Sequence, residues 1–153
     1  MDGFNYLKCE FAAVSQNEAL ARAIVASFLL PVDPMLDELN DIKTAVSEAV
    51  TNSIIHGYGN MEDVFYGEGA PLVEMICERE GRRATITVRD RGCGIKDVEE
   101  ARQPLFTSAP QLERSGLGFT IMETFCDRLE VTSEQGKGTE VRLTKFFGKQ
   151  TEG

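Results

Sequence analysis

Four short motifs stand in a fixed order along this chain, and together they constrain its fold more than any other feature. They are Glu48-Ala49-Val50-Thr51-Asn52, Asp90-Arg91-Gly92-Cys93-Gly94, Ser115-Gly116-Leu117-Gly118-Phe119 and Gly136-Lys137-Gly138-Thr139. The first places a carboxylate and an amide one helical turn apart, so both share one face of a helix. The other three are glycine-punctuated loops, where backbone can approach a ligand closely. A carboxylate–amide pair followed by three such loops is what a magnesium–nucleotide site requires.

The hydrophobic pattern supplies the elements that carry these motifs. Asn5 to Phe11 alternates, with Leu7, Cys9 and Phe11 on one side and Tyr6, Lys8 and Glu10 on the other, which predicts a half-buried strand. Ser15-Gln16-Asn17-Glu18 has the form of a capping box, opening a helix through Leu20, Ile24, Ser27 and Phe28 to a stop at Pro31. Asp33-Pro34 is expected to start a second helix, with Leu36, Leu39, Ile42, Val46, Val50 and Ile54 on its buried side and an end at His56-Gly57. A glycine-rich acidic loop, Tyr58 to Pro71, leads to two strands, Leu72 to Glu78 and Ala84 to Val88, with Gly81 in the turn. From Gly94 to Ser115 the pattern breaks down, and a stretch of that length inside one domain reads as a functional lid or as disorder. A third helix through Phe119, Met122, Phe125 and Cys126 follows, then a hairpin of Leu129 to Ser133 and Thr139 to Phe146.

Composition sets the outer limits. With 153 residues and 42% hydrophobic content, the chain reads as one domain, 1–153, with a core that needs no staples. No apolar run approaches a membrane span and no signal-peptide pattern opens the chain, so a cytoplasmic location is expected. The four cysteines lack metal-ligand spacing and suit reduced, mostly buried thiols. A net charge of −9 disfavours direct nucleic-acid binding and suits a basic protein partner or simply a solvated acidic surface. A polyphosphate would then be held by local devices, namely backbone amides and a metal.

Each motif has a chemical reading beside an ordinary one. Glu48 can orient or deprotonate a hydroxyl, and the Asn52 amide oxygen can ligate Mg²⁺ when phosphates and waters fill the other positions; the pair also fits a plain solvated helix face. Asp90 at a strand end can accept from an exocyclic amine such as that of adenine, or simply close an acidic turn. Ser115 to Gly118 can point amides at an anion from a helix N-terminus. This loop is neither a Walker P-loop nor a dinucleotide fingerprint. Gly136 to Thr139 has the form of a hairpin turn, with the Thr139 hydroxyl near the supposed base pocket. His56, the only histidine, reads as a residue of a helix C-terminus.

In this order and on these elements, the motifs resemble the ATP-binding domain shared by gyrase, Hsp90, the mismatch-repair ATPases and histidine kinases. Three stretches, EAVTNSIIHGY from Glu48, EEARQPLFT from Glu99 and ERSGLGFTIME from Glu113, are similar to the anti-sigma-factor serine kinases of spore-forming bacteria. The similarity runs nearly end to end and is weakest across the Tyr58 to Pro71 loop. The resemblance implies an α/β fold, a two-layer sandwich with a mixed, mostly antiparallel sheet and helices on one face. It implies Glu48 as general base or hydroxyl-orienting residue and Asn52 as Mg²⁺ ligand. Asp90, Gly94 and Thr139 would form the adenine pocket, with Arg114, Ser115, Gly116, Leu117 and Gly118 at the phosphates of ATP or ADP and Gly94 to Ser115 as the lid. It further implies a homodimer that binds a sigma factor and phosphorylates a serine of an anti-anti-sigma protein, with Arg22 as an exposed partner contact. Two other readings fit the same site: a sigma-binding module in which ATP is structural, and a simple ATPase.

Overall fold

A computed structural model of the chain describes residues 3–59, 67–103 and 118–148. Strict alternation makes the sheet. In β1 (Phe4–Ala12) and β2 (Leu72–Glu80) every second side chain turns inward, and β3 (Arg83–Asp90), β4 (Arg128–Glu134) and β5 (Gly138–Phe146) continue the pattern. The strand order is β1-β2-β3-β5-β4, and each of the four ladders is antiparallel. The inner face carries Val73, Met75, Cys77, Ile86, Val88, Val141 and Leu143, all buried.

The helices α1 (Asn17–Leu29), α2 (Leu36–Asn52) and α4 (Gly118–Phe125) cover that inner face, and α1 and α4 both pack on α2. The expected two-layer sandwich is what the chain forms. Among the described residues, the opposite face of the sheet bears charged ladders instead of helices. Arg89 is held by Glu74 and Glu140, each at 2.7 Å, and Lys8 reaches Glu74 at 3.3 Å.

Several local expectations are corrected. The first is the Ser15–Glu18 capping box. Gln16 is the cap residue and no side chain caps the helix; Glu18 instead accepts from the Ser47 hydroxyl of α2 at 2.6 Å and pairs with Arg22 at 3.0 Å. The buried stripe of α1 is Ala21, Val25, Phe28 and Leu29, leaving Leu20 exposed. Helix α2 starts at Leu36 rather than at Pro34, because Met35 keeps an extended backbone (ψ 152°) that a helix cannot include. Met35 takes the cap position, and its N–H donates to Glu38 at 2.9 Å. Leu36, expected in the core, is 71% exposed at the tip.

The end of α2 shapes everything that follows. Its α-helical hydrogen bonding stops at Asn52, and residues Ser53–Gly57 form a wider π turn, with the Tyr58 N–H reaching back to the Ser53 carbonyl at 3.1 Å. Such π turns recur at functional sites because they re-aim the side chains beside them. Part of the supposed lid is ordered as a short helix, α3 (Val98–Ala101), capped by Asp97 and anchored by buried Ala101. Residues 104–115 of that stretch, the middle of the 58–71 loop and the C-terminal tail lie outside the described residues.

Candidate nucleotide site

The site is assembled where the π turn, the end of β3 and the start of β5 meet. Asp90 is the last residue of β3, opposite Thr139 in the β3–β5 ladder, and only 4% exposed. Glycines let the surrounding backbone close on it. A Cβ on Gly57 would stand 3.0 Å from the Asp90 carboxylate, and the Gly57 carbonyl accepts from the Cys93 N–H at 2.9 Å. The carboxylate is only partly satisfied. The Gly92 N–H donates to Oδ1 at 2.9 Å, and the Ser53 hydroxyl and the Thr139 N–H lie beside the same carboxylate. Oδ2 is buried and lacks a partner of good hydrogen-bond geometry. Burial pushes the Asp90 carboxyl above its ordinary range, partly offset by those donors.

A buried acceptor without a partner is costly by itself and is the group a ligand donor would satisfy. An exocyclic amine fits it, since a carboxylate only accepts. Thr139 stands beside it, with its hydroxyl held by Ser133 at 2.9 Å, and Ser133 in turn bonds the Gly138 carbonyl and the Ile95 N–H. Gly94 packs its Cα against the backbone of the β4–β5 turn at Glu134 and Gln135.

Helix α2 brings Glu48 and Asn52 to the same end of the molecule. Both are half-buried, and Asn52 directly precedes Ser53, whose hydroxyl reaches Asp90. Gly118 opens α4, which packs on α2. The structure therefore brings Glu48, Asn52, Asp90, Gly94, Gly118 and Thr139 onto adjoining elements. Arg114, Ser115, Gly116 and Leu117 lie outside the described residues. Arg22 is separate. It sits on α1, its side chain 41% exposed and paired with Glu18, so it flanks α2 rather than standing alone.

Sequence reasoning missed Ser53, Tyr58 and Ser133, whose roles come from contacts across elements that no local pattern encodes. It also missed the exposed position of Cys93. Of the other thiols Cys77 is buried and Cys9 and Cys126 are half-buried, and burial raises Cys9 and pushes Cys77 and Cys126 up to about 12. A cleft of about 730 Å³ lies between α3 and α4, bridged by Arg102–Glu123 at 3.1 Å and lined, among the described residues, by Glu99, Arg102, Gln103, Thr120, Glu123 and Thr124. No cluster of three or more metal-ligating side chains occurs among the described residues. None of the described helices is long and apolar enough to cross a membrane.

Comparison with known proteins places the chain in a family. Residues 11–145 match the family described as the histidine kinase-like ATPase domain. The anti-sigma F factor of Clostridium beijerinckii is 54% identical over 94% of this chain and 95% of its own length. That of Oceanobacillus iheyensis is 54% identical over 95% and 94%. The crystal structure of the RsbU and RsbW domains of a Mycobacterium tuberculosis protein shares the fold, with a TM-score of 0.65 at 20% identity, over 94% of this chain and 32% of that longer one. The chain belongs to the histidine kinase-like ATPase family and, within it, to the anti-sigma F factors.

Proposed function

We propose that this chain binds a sporulation sigma factor and, with Mg-ATP, phosphorylates a serine of an anti-anti-sigma protein. The observation that carries the nucleotide half is the buried Oδ2 of Asp90, an unmet acceptor one strand end away from the helix that bears Glu48 and Asn52. In this reading Asp90 accepts the adenine amine, with Thr139 and Gly94 walling the base, and Asn52 offers its amide oxygen to Mg²⁺. Gly118, with Arg114, Ser115, Gly116 and Leu117, holds the phosphates. The nucleotide supplies the phosphoryl group and the metal neutralises its oxygens. Transfer of this kind passes a loose transition state, so positioning and charge neutralisation dominate. Glu48 then orients the serine hydroxyl.

Sigma capture follows from membership among the anti-sigma F factors, and Arg22 is the contact we assign to it. Its guanidinium is fixed by Glu18, which is itself tied to Ser47, the neighbour of Glu48. A second copy would pair along β1, an edge strand whose Phe4 and Tyr6 are 64% and 50% exposed. Phe4→Asp is expected to shift the sedimentation coefficient from dimer to monomer; an unshifted dimer would remove β1 from the interface.

Asp90→Asn tests the adenine reading and carries a sign. Because burial raises the Asp90 carboxyl, the folded state binds its proton more tightly than the unfolded chain. Stability is therefore lost as pH rises from the unfolded value through the raised folded one. Asparagine removes the buried charge. The nucleotide-free variant is expected to melt no lower than wild type at pH 7, yet to bind ATP at least about tenfold more weakly, the worth of one charge-assisted hydrogen bond. By linkage, nucleotide-dependent capture of the sigma factor weakens in step. Wild-type ATP affinity in this variant, by calorimetry, would remove Asp90 from the base pocket.

A further inference from the structure

The adenine end of the site depends on a side chain that none of the four motifs contains. Tyr58 follows the π turn directly and is half-buried. Its phenol makes two bonds of 2.8 Å. It donates to the Leu72 carbonyl at the start of β2, and it accepts from the Arg91 N–H, the first backbone donor after Asp90. A phenol has one proton to give and lone pairs to receive, so both bonds hold together. Burial pushes this phenol above its ordinary value, which keeps that proton in place across the physiological range. The Tyr58 N–H is fixed in turn to the Ser53 carbonyl at 3.1 Å, and the Ser53 hydroxyl lies against the Asp90 carboxylate. One short stretch, 53–58, thus grips Asp90 twice, through its side chain by Ser53 and through the following backbone by Tyr58.

We propose that Tyr58 is a positioning residue for base recognition: its phenol fixes the backbone leaving Asp90 and so sets the direction of the free Oδ2 acceptor. The inference rests on the reading that Asp90 accepts the adenine amine. Hydrogen bonds weaken steeply with angle, so an acceptor in a 4%-exposed side chain must be aimed by its frame. Without the phenol, the Arg91 N–H turns to water and the strand end relaxes. Tyr58 touches no nucleotide in this account. Its effect is felt only through contacts made to the base's amine.

The test compares ATP with purine riboside triphosphate, which lacks the 6-amino group, on the full chain in three forms: wild type, Tyr58→Phe and Asp90→Asn. Thermal midpoints are taken alongside. Tyr58→Phe is expected to weaken ATP about tenfold and the analogue by less than about twofold, so the preference for ATP collapses. Equal weakening of both nucleotides, or unchanged ATP affinity, overturns the proposal, since a merely structural tyrosine would not discriminate between them. Asp90→Asn separates the two layers. If it keeps the full preference for ATP, the adenine reading itself fails. If it loses the preference while Tyr58→Phe retains it, only the positioning role fails. Should Tyr58→Phe not fold, hydrogen exchange of the wild-type Arg91 amide decides: protection that deepens with ATP but not with the analogue supports the proposal, and exchange at the rate of an open loop refutes it.

Discussion

Glu48→Gln is expected to bind ATP within about threefold of wild type while phosphotransfer falls at least about a hundredfold, the lower end of what a positioned acid–base group contributes. The substitution is nearly isosteric, so the buried core side of α2 around Val46, Ala49 and Val50 is untouched. Asn52, one turn on, keeps its amide, and the Asp90 cluster keeps every partner. What changes is the charge and acceptor strength at the carboxylate one helical turn before Asn52, the proposed magnesium ligand. In a loose transition state the nucleophile needs orientation more than deprotonation, and a neutral amide presents a donor where the hydroxyl proton should go. Parallel measurement of nucleotide affinity and single-turnover transfer makes the split visible. Loss of both together would move Glu48 from the chemistry to the binding of ATP, and full transfer would leave it without a catalytic role.

Gly94→Ala should produce the second large effect, on the fold of the pocket. Gly94 has φ 76°, and a Cβ there would lie 2.2 Å from the Glu134 carbonyl oxygen, which is backbone and cannot swing away. Left-handed backbone costs a residue with a Cβ about 1–2 kcal/mol. Overlap with the β4–β5 turn adds roughly 1–3 kcal/mol. For a chain of this size each kcal/mol moves the melting midpoint by about 2–4 °C, so a drop of about 10 °C is expected, with ATP binding lost in the fraction that stays folded. The clash falls where the Cys93 carbonyl accepts from the Gly136 N–H, so it pushes the second and fourth motifs apart. A melting midpoint within 2 °C of wild type (about half a kcal/mol) together with unchanged ATP binding would mean that Gly94 is not a structural joint of the pocket.

These two residues also show how far the chain could be read directly. The stripe Ile42, Val46, Val50 and Ile54 is buried as its spacing predicts, because helical periodicity is a local property that the sheet only confirms. Asp90 falls at a strand end, beside Thr139, because the period-2 pattern of β3 and β5 fixes their register. Where local signals compete with tertiary contacts, the sequence misleads. Glu18 has the spacing of a capping residue, yet Ser47 and Arg22 offer it better partners across α2 and along α1. Ala21 lies in the core while Leu20 does not, because α1 packs closely and admits a small side chain. Proline at position 34 looks like a first helical residue, but the extended backbone of Met35 delays the start to Leu36. Tyr58 and Ser133 carry no sequence signal at all, since a phenol bridging β2 to the end of β3 is defined only once those strands are in place.

The claim at the centre is that one site, with Asp90 at the base and Glu48 at the reacting end, transfers phosphate to a protein rather than to water. The direct measurement incubates the chain with γ-labelled Mg-ATP, with and without the candidate anti-anti-sigma protein, and follows label in protein and in free phosphate together. Stoichiometric label on one serine of that protein, absent with Glu48→Gln and with little free phosphate, is the result expected. Free phosphate released at the same rate with or without the protein, and no label on it, would contradict the kinase reading and leave an ATPase in its place.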